Sequence, residues 1–313
     1  MLSSPTYNPG LHRFAVVLAV FVFLLIGAGA LVTSNDAGLA VPDWPTSFGS
    51  LYKIPPMVGG IKYEHGHRML AEFVGLLTVV MCVYTFRVER RSWMKKLSLA
   101  AIGTVIAQGV LGGVTVLYFL PWYISSAHAA LGQTFFSIAV LMAMFTSRSW
   151  MESAQVETAD EQLAASTRAL TLLSVAAVYL QLFFGAGFRH SGISILPHLV
   201  NAVITSGILL WTAIRVLVAH GKNHELRKPA VWVLTLLLVQ LGLGFAAYLT
   251  RVVWGKDAVQ PLPSMVYTTV AHVAVGALLL AATFVVAVQA HRRKHEISVV
   301  EEHLPSTRGA VVA

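Results

Sequence analysis

Eight apolar runs, each close to twenty residues long, alternate with shorter polar segments along the chain. The runs cover about residues 13–33, 65–86, 97–117, 124–146, 169–188, 195–219, 229–250 and 265–290. A helix of roughly 20 apolar residues crosses the hydrocarbon core of a bilayer. Lipid offers no hydrogen-bond partner to a bare backbone, and the runs are too long for barrel strands. The pattern therefore predicts an all-α integral membrane protein with eight transmembrane helices.

Composition agrees with a multi-pass membrane protein and excludes an ordinary soluble enzyme. Of the 313 residues, 56% are hydrophobic and only 12% are charged, well below the charged share of an average soluble chain. The first apolar run is too long for the core of a signal peptide, so we expect it to remain as the first helix. Cys82 is the single cysteine, so no disulfide can form within the chain.

The net charge of +8 suggests either a nucleic-acid partner or an orientation signal in a membrane. Roughly three quarters of the Lys and Arg residues in the loops and tails fall on one side of the predicted membrane, and such loops face the cytoplasm. We therefore predict a protein of the cell (inner or plasma) membrane with both termini in the cytoplasm. The basic residues then favour anionic lipid, and no nucleic-acid partner is expected.

A polar segment at residues 147–168 separates two sets of four apolar runs. It predicts a cytoplasmic linker between an N-terminal half, residues 1–146, and a C-terminal half, residues 169–313. Short motifs recur at corresponding runs: Gly27-Ala28-Gly29 and Gly185-Ala186-Gly187, Gln108…Gly112 and Gln240…Gly244, His128…Gly132 and His272…Gly276. Because each half holds an even number of helices, the repeat is predicted to be parallel, as two four-helix bundles related by an axis along the membrane normal.

Four of the twelve histidines lie at similar depth on the even-numbered predicted helices, towards the outer face. They are His67, His128, His198 and His272. A small residue follows each histidine by four positions, on the same helix face: Ala71, Gly132, Ala202 and Gly276. A flat macrocycle bound to the imidazole needs that space. The pattern favours two bis-histidine haem sites, whereas the alternative is a set of polar contacts between helices.

The two candidate sites differ in the residues beside their first histidine. Glu64 precedes His67 by three residues and shares its helical face, and Arg68 follows directly. No acid or arginine flanks His198. The acidic site is suited to proton-coupled chemistry and the other to a permanent electron-transfer haem. The alternative is that Glu64 only pairs with Arg68 one turn further on. The adjacent loop, residues 33–49, either caps this site or is an ordinary interfacial loop.

The Pro42–Pro45 loop sequence Pro-Asp-Trp-Pro, the motif Glu64-x-x-His67-Arg68 and the four histidines on even helices together resemble the haem A synthase family. The resemblance covers nearly all of the chain. It implies an enzyme that oxidises the methyl group at ring position 8 of haem O to a formyl group, by successive hydroxylations, giving haem A.

The resemblance also implies a role for each site residue. His198 and His272 would hold the iron of a haem b cofactor, and His67 and His128 that of the substrate haem O. The family's catalytic glutamate and arginine match Glu64 and Arg68. The implied partners are a farnesyl-transferring haem O synthase as the source of substrate and a terminal haem-copper oxidase as the recipient of haem A. The electron donor stays unidentified, as do the roles of His65, Arg189 and His190.

One departure from the family pattern lies in the first outer loop. Many bacterial members carry a cysteine pair there, and the corresponding positions here are Val41 and Ser47. A redox role of such a pair is therefore excluded in this chain. Two other classes of protein are alternatives: a di-haem b-type membrane cytochrome that exchanges electrons with quinone, and a transporter. Glu64 lies beside only one of the two histidine pairs, which argues against the cytochrome. The parallel repeat argues against the transporter.

Overall fold

The computed structural model describes residues 7–152, 161–220 and 224–303, and these residues form helices and connecting turns without a β-strand. The long helices are α1 (Pro9–Ser34), α2 (Ile61–Val88), α3 (Ser92–Leu117), α4 (Trp122–Phe145), α5 (Glu161–Arg189), α6 (Leu196–Ala219), α7 (His224–Tyr248) and α8 (Pro263–His303). Within the described ranges, eight helices are long and apolar enough to cross a membrane. The predicted all-α fold with eight transmembrane helices is confirmed.

Helix boundaries follow local sequence signals at several ends. The Asn8 side chain accepts a hydrogen bond from the Leu11 N–H at 2.9 Å, and Pro9 occupies the first turn of α1. Proline is favoured there because its missing N–H would have no partner within the helix. Pro197 has the same place at the start of α6. At its C-terminal end α7 continues into a π-helical turn, Leu249–Val253.

The helices pack as two groups of four. In the first group α1 contacts α2 and α4, and α3 contacts α2 and α4. In the second group α5 and α7 each contact α6 and α8. Contacts of α8 with α1 and α4, and of α4 with α5, join the groups. Buried Leu18, Met81 and Met142 lie in the core of the first group, and Leu209 and Leu280 in that of the second. The parallel relation between the halves stays a prediction.

Apolar side chains also cover the outer surface of the bundle, as expected of helices that face lipid. Val203 is 75% exposed, Val218 83% and Leu238 71%. In water, such surfaces would be costly, because burial of apolar area is the main driving force of folding. The exposure therefore fits a multi-pass membrane protein.

Of the predicted linker 147–168, a five-residue helix, Arg148–Glu152, is seen, and residues 153–160 lie outside the described residues. Arg292 of α8 stacks on the Trp150 ring at 4.2 Å and donates to the Trp150 carbonyl oxygen at 3.0 Å. The start of this segment thus packs against the second helix group. The C-terminal residues 304–313, with basic Arg308, also lie outside the described residues.

Candidate functional site

The four predicted histidines lie within about the first three turns of the even-numbered helices, and the structure brings them together in pairs. The His198 and His272 ring centroids lie 6.2 Å apart, with the ring planes at 83°. His67 and His128 are close enough to interact electrostatically. Each pair joins two helices of one group, as the sequence predicted. Their role as iron ligands stays a prediction.

Each of these imidazoles packs against a glycine on the preceding helix. A Cβ atom placed on the glycine would lie only 2.9–3.2 Å from the Cε1 atom of the ring. The four contacts are Gly29 with His67, Gly112 with His128, Gly185 with His198, and Gly244 with His272. Any larger residue would push the ring away, so glycine here sets the position of the imidazole rather than supplying backbone freedom.

The glycine also gives the imidazole access to a backbone carbonyl. In an α-helix the carbonyl oxygen of residue i points towards residue i+4, so a glycine at i+4 leaves it uncovered. The residues four positions before these glycines are Leu25, Gln108, Gln181 and Gln240. Of their carbonyls, that of Gln181 is within hydrogen-bond distance of its histidine, whereas Nδ1 of His67, His128 and His272 has no hydrogen-bond partner in the described residues. For His198, Nδ1 lies 3.3 Å from the Gln181 oxygen. An Nδ1–H that donates to a carbonyl leaves Nε2 free to bind a metal.

Glutamine side chains accompany three of the four histidines. Gln181 Nε2 donates to the His198 carbonyl oxygen at 3.1 Å, and Gln181 Oε1 accepts from Asn201 Nδ2 at 2.8 Å. Gln240 Nε2 lies 3.4 Å from His272 Nε2. The amides of Gln108 and Gln240 occupy the space beside Gly132 and Gly276, which the sequence pattern had assigned to a macrocycle. The recurring Gln-x-x-x-Gly spacing was the available sequence signal for these contacts.

The donor set suits axial ligation of a haem better than a polydentate metal site. No cluster of three or more His, Cys, Asp or Glu side chains able to hold a metal ion occurs in the described part of the chain. The Nδ1 atoms of His67, His128 and His272 are buried without a hydrogen-bond partner there. A haem iron already has four ring nitrogens and takes only two protein ligands, which a histidine pair supplies.

Glu64 is 4% exposed and both of its carboxylate oxygens are engaged. Oε1 accepts from Arg68 Nη2 at 2.6 Å, and Oε2 accepts from the Val41 N–H at 2.8 Å. The i, i+4 ion pair that the sequence offered as an alternative is therefore present. The ion pair extends into the loop between α1 and α2, because Arg68 also donates to the backbone carbonyls of Val41, Asp43 and Thr46 at 3.0, 2.7 and 3.1 Å.

The loop that follows α1 has its own internal hydrogen bonds. Asp43 accepts from the N–H groups of Phe48 and Gly49, at 2.7 and 2.8 Å, and from the Thr46 hydroxyl. Burial would raise the pKa of the Asp43 carboxyl, but these hydrogen bonds outweigh it and lower the pKa to about 2. The Trp44 indole packs directly on Gly113 of α3, where a Cβ atom would overlap the ring. The loop thus spans the N-terminal end of α2 and the C-terminal end of α3.

Val41 and Ser47, where the resemblance implies a cysteine pair in many bacterial members, are both enclosed by this network. Val41 is fully buried, and its N–H and carbonyl oxygen bond to Glu64 and Arg68. Ser47 is 8% exposed, and its Oγ lies 3.0 Å from Nδ1 of His65. Hydrogen bonds to α2 therefore fix both ends of the segment 41–47, although the loop has no disulfide. Sequence reasoning missed this function of Arg68 and His65.

The fold and the site define a multi-pass helical membrane protein with a pair of histidines in each of two helix groups. A family model for cytochrome oxidase assembly proteins, COX15-CtaA, matches residues 61–196. The chain is 26% identical to a haem A synthase of Symbiobacterium thermophilum over 261 residues, 74% of this chain and 83% of that protein. It is 30% identical to a haem A synthase of Lysinibacillus sphaericus over 199 residues, 61% of each chain. The chain is thus similar to proteins named haem A synthase, in keeping with the resemblance of its motifs.

A further relative carries a different name. The chain is 35% identical over 128 residues to a protohaem IX farnesyltransferase of Haloarcula marismortui. The alignment covers 39% of this chain and 26% of that protein. A stretch similar to part of this chain therefore occurs within a protein named for farnesyl transfer to haem.

Proposed function

We propose that this protein oxidises the methyl group at ring position 8 of haem O to a formyl group and so produces haem A. The similarity to relatives named haem A synthase supports this activity, and one of them aligns over 74% of the chain. The structural observation that supports it is the asymmetry of the two histidine pairs. A buried carboxylate, Glu64, lies one turn from His67, whereas the residues before His198 are apolar.

We assign the two pairs to different haems. His198 and His272 are proposed to hold a haem b cofactor, which supplies one-electron transfer when bound. Their side chains are set by Gly185, Gly244 and the Gln181 network. His67 and His128 are proposed to hold haem O, the substrate. Leu25 stands four residues before the glycine that packs on His67, whereas a glutamine has the equivalent position for the other three histidines. Fewer polar groups therefore hold His67. A less constrained ligand suits a site that releases its product.

Glu64 and Arg68 are proposed to act together at the substrate site. Arg68 fixes Oε1 of the carboxylate by an ion pair, and Oε2 faces the Val41 N–H. We propose that Glu64 accepts or delivers a proton beside the reacting substituent, while Arg68 positions it and holds the loop over the site. With the loop in place, water has less access to this end of the helix group, which strengthens the electrostatic interactions there.

The protein is proposed to lie in the cell membrane with both termini in the cytoplasm, and with the haem sites towards the outer face. Haem O would come from a farnesyl-transferring haem O synthase, and the similarity to a protein named protohaem IX farnesyltransferase supports this partner. The product would go to a terminal haem-copper oxidase, in keeping with the oxidase-assembly description of the family. The reaction also needs an electron acceptor or donor as a further partner.

The enzyme proposal is tested by expressing the full chain in a host that makes haem O but no haem A, and by chromatography of the extracted haems. Haem A or its hydroxylated precursor is the expected product. A haem-loaded protein without either would overturn the proposal and favour a di-haem b-type cytochrome.

The role of Glu64 is tested in the same host. Glu64→Gln should keep the haem b spectrum and lose product. Glu72→Gln is the matched control, because Glu72 is an exposed carboxylate two turns further along α2. Turnover of the Glu64 variant equal to that of the control would exclude the proposed proton-handling role.

A further inference from the structure

Two arginines lie at the outer ends of odd-numbered helices of the second helix group. Arg189 is the last residue of α5. Arg251 lies in the middle of the π-helical turn that ends α7. Such turns insert an extra residue, redirect a side chain and occur frequently at functional sites. The two guanidinium groups are close enough to repel each other electrostatically.

The charges of this arginine pair are poorly balanced by the protein. Arg189 Nη2 donates to the neutral Ser34 hydroxyl at 2.7 Å. Asp36 is the acid beside them, but its carboxylate lies 4.0 Å from Arg251 and is 65% exposed. Within the described residues, Nη1 of Arg189 and Nη1 of Arg251 are both buried without a hydrogen-bond partner. Enclosed and unpaired charge is destabilising, so the pair is suited to receive an anion.

The position of the arginine pair relates it to the histidine sites. His190, which follows Arg189, interacts electrostatically with both Arg189 and His128. The pair is therefore near the level of the histidines, at the junction between the two helix groups. A haem carries two propionate carboxylates at one edge. Each guanidinium offers one unpaired Nη1, which can donate a charge-assisted hydrogen bond to a carboxylate.

We propose that Arg189 and Arg251 form a carboxylate-binding site for haem propionate groups at the outer ends of the helices. This inference rests on the proposed haem-binding function. The shared ligand chemistry is a porphyrin carboxylate, whether it belongs to the cofactor haem or to the substrate haem. Arg68 is not available for this task in the described arrangement, because its guanidinium is bonded to Glu64 and to the loop carbonyls.

The test compares binding of haem and of its dimethyl ester, in which both propionates are blocked, to the full chain purified without haem. The parent protein should bind the free acid about tenfold more tightly than the ester, as expected for charge-assisted bonds. Arg189→Gln and Arg251→Gln should each lose most of that preference. Arg189→Lys should keep part of it, because the charge remains while the fork geometry is lost.

Arg215→Gln is the matched control. Arg215 likewise donates to a serine hydroxyl, that of Ser166, but near the opposite end of the helices. It should keep the full preference for the free acid. Circular dichroism and gel filtration confirm that each variant is folded.

Two results would overturn the inference in distinguishable ways. If the parent and the two glutamine variants bound haem and preferred it to the ester equally, the arginine pair would be excluded as the propionate site. The proposed haem-binding function would be unaffected by this result. Failure of the parent to bind either porphyrin would exclude the haem sites and the proposed function with them. Repeating the comparison in His272→Ala and His67→Ala identifies which haem supplies the carboxylate, since the preference should disappear with that haem.

Discussion

Arg68 and Glu64 form a buried ion pair, with Nη2 2.6 Å from Oε1, and the same guanidinium donates to three backbone carbonyls of the first outer loop. One side chain of α2 therefore fixes both a candidate catalytic carboxylate and the loop above it. Its hydrogen bonds span residues 41–46. The arginine supplies the constraint here without covalent chemistry.

Arg68→Gln should destabilise the protein by about 3 kcal/mol, because removing one partner leaves the other charge buried and unpaired. The side chains of Arg68 and Glu64 are 15% and 5% exposed. The loop should become sensitive to proteases added from outside, and product formation should fall. Thermal unfolding in detergent and limited proteolysis of the outer loop measure the two effects.

Arg148→Gln is the control for this prediction. Arg148 and Glu152 also form an i, i+4 pair, but their side chains are 73% and 56% exposed. An exposed pair contributes at most about 1 kcal/mol, so the unfolding temperature should change little. If the two variants shifted it equally, the proposed function of Arg68 as a clamp on the loop would be wrong.

The first outer loop should loosen at acid pH through Asp43. The pKa of its carboxyl is about 2 in the fold, below its ordinary value of 3.8, so the unfolded loop binds the proton more readily. The stabilisation is fully present above about pH 4 and is lost as the pH falls through 2. Protection of the Phe48 and Gly49 amide hydrogens from exchange should fall over that range.

Asp43→Asn separates this effect from general acid unfolding. The amide oxygen still accepts hydrogen bonds but does not titrate near pH 3. Protection of the two amides in the variant should be weaker at neutral pH and independent of pH between 4 and 2. A parallel pH dependence in both proteins would mean that another group controls the loop.

The number and type of helices could be predicted from the sequence because lipid permits few alternatives to an apolar helix. The contacts between helices could not, since they depend on the axial position of one helix against the next. The glycine triplets illustrate this. Gly27-Ala28-Gly29 was aligned with Gly185-Ala186-Gly187, yet Gly29 and Gly185 are the members that contact histidines. Neither Gly27 nor Gly187 does so in the described residues.

Only part of the site could be predicted from the sequence. The repeated motifs and the similar depth on even-numbered helices indicated the four histidines, because a sequence repeat places residues at equivalent positions. The partners of Glu64 and Arg68 in the loop were not predicted, since a backbone N–H or carbonyl carries no residue-type signal. The cluster of Arg189 and Arg251 was also missed as a pair, because these residues lie on different helices and meet only in three dimensions.

Gly244 and Gly242 offer a direct test of whether glycine positions the haem ligand. A Cβ atom at Gly244 would lie 3.0 Å from Cε1 of His272, whereas at Gly242 it would meet nothing within 4 Å. Gly244→Ala should displace the imidazole and remove or shift the haem b absorption bands. Gly242→Ala should leave them unchanged and stabilise the helix by roughly 0.5–1 kcal/mol, since alanine is the better helix former. Identical spectra in the two variants would show that His272 does not depend on its glycine neighbour, and the assigned ligand geometry would have to be abandoned.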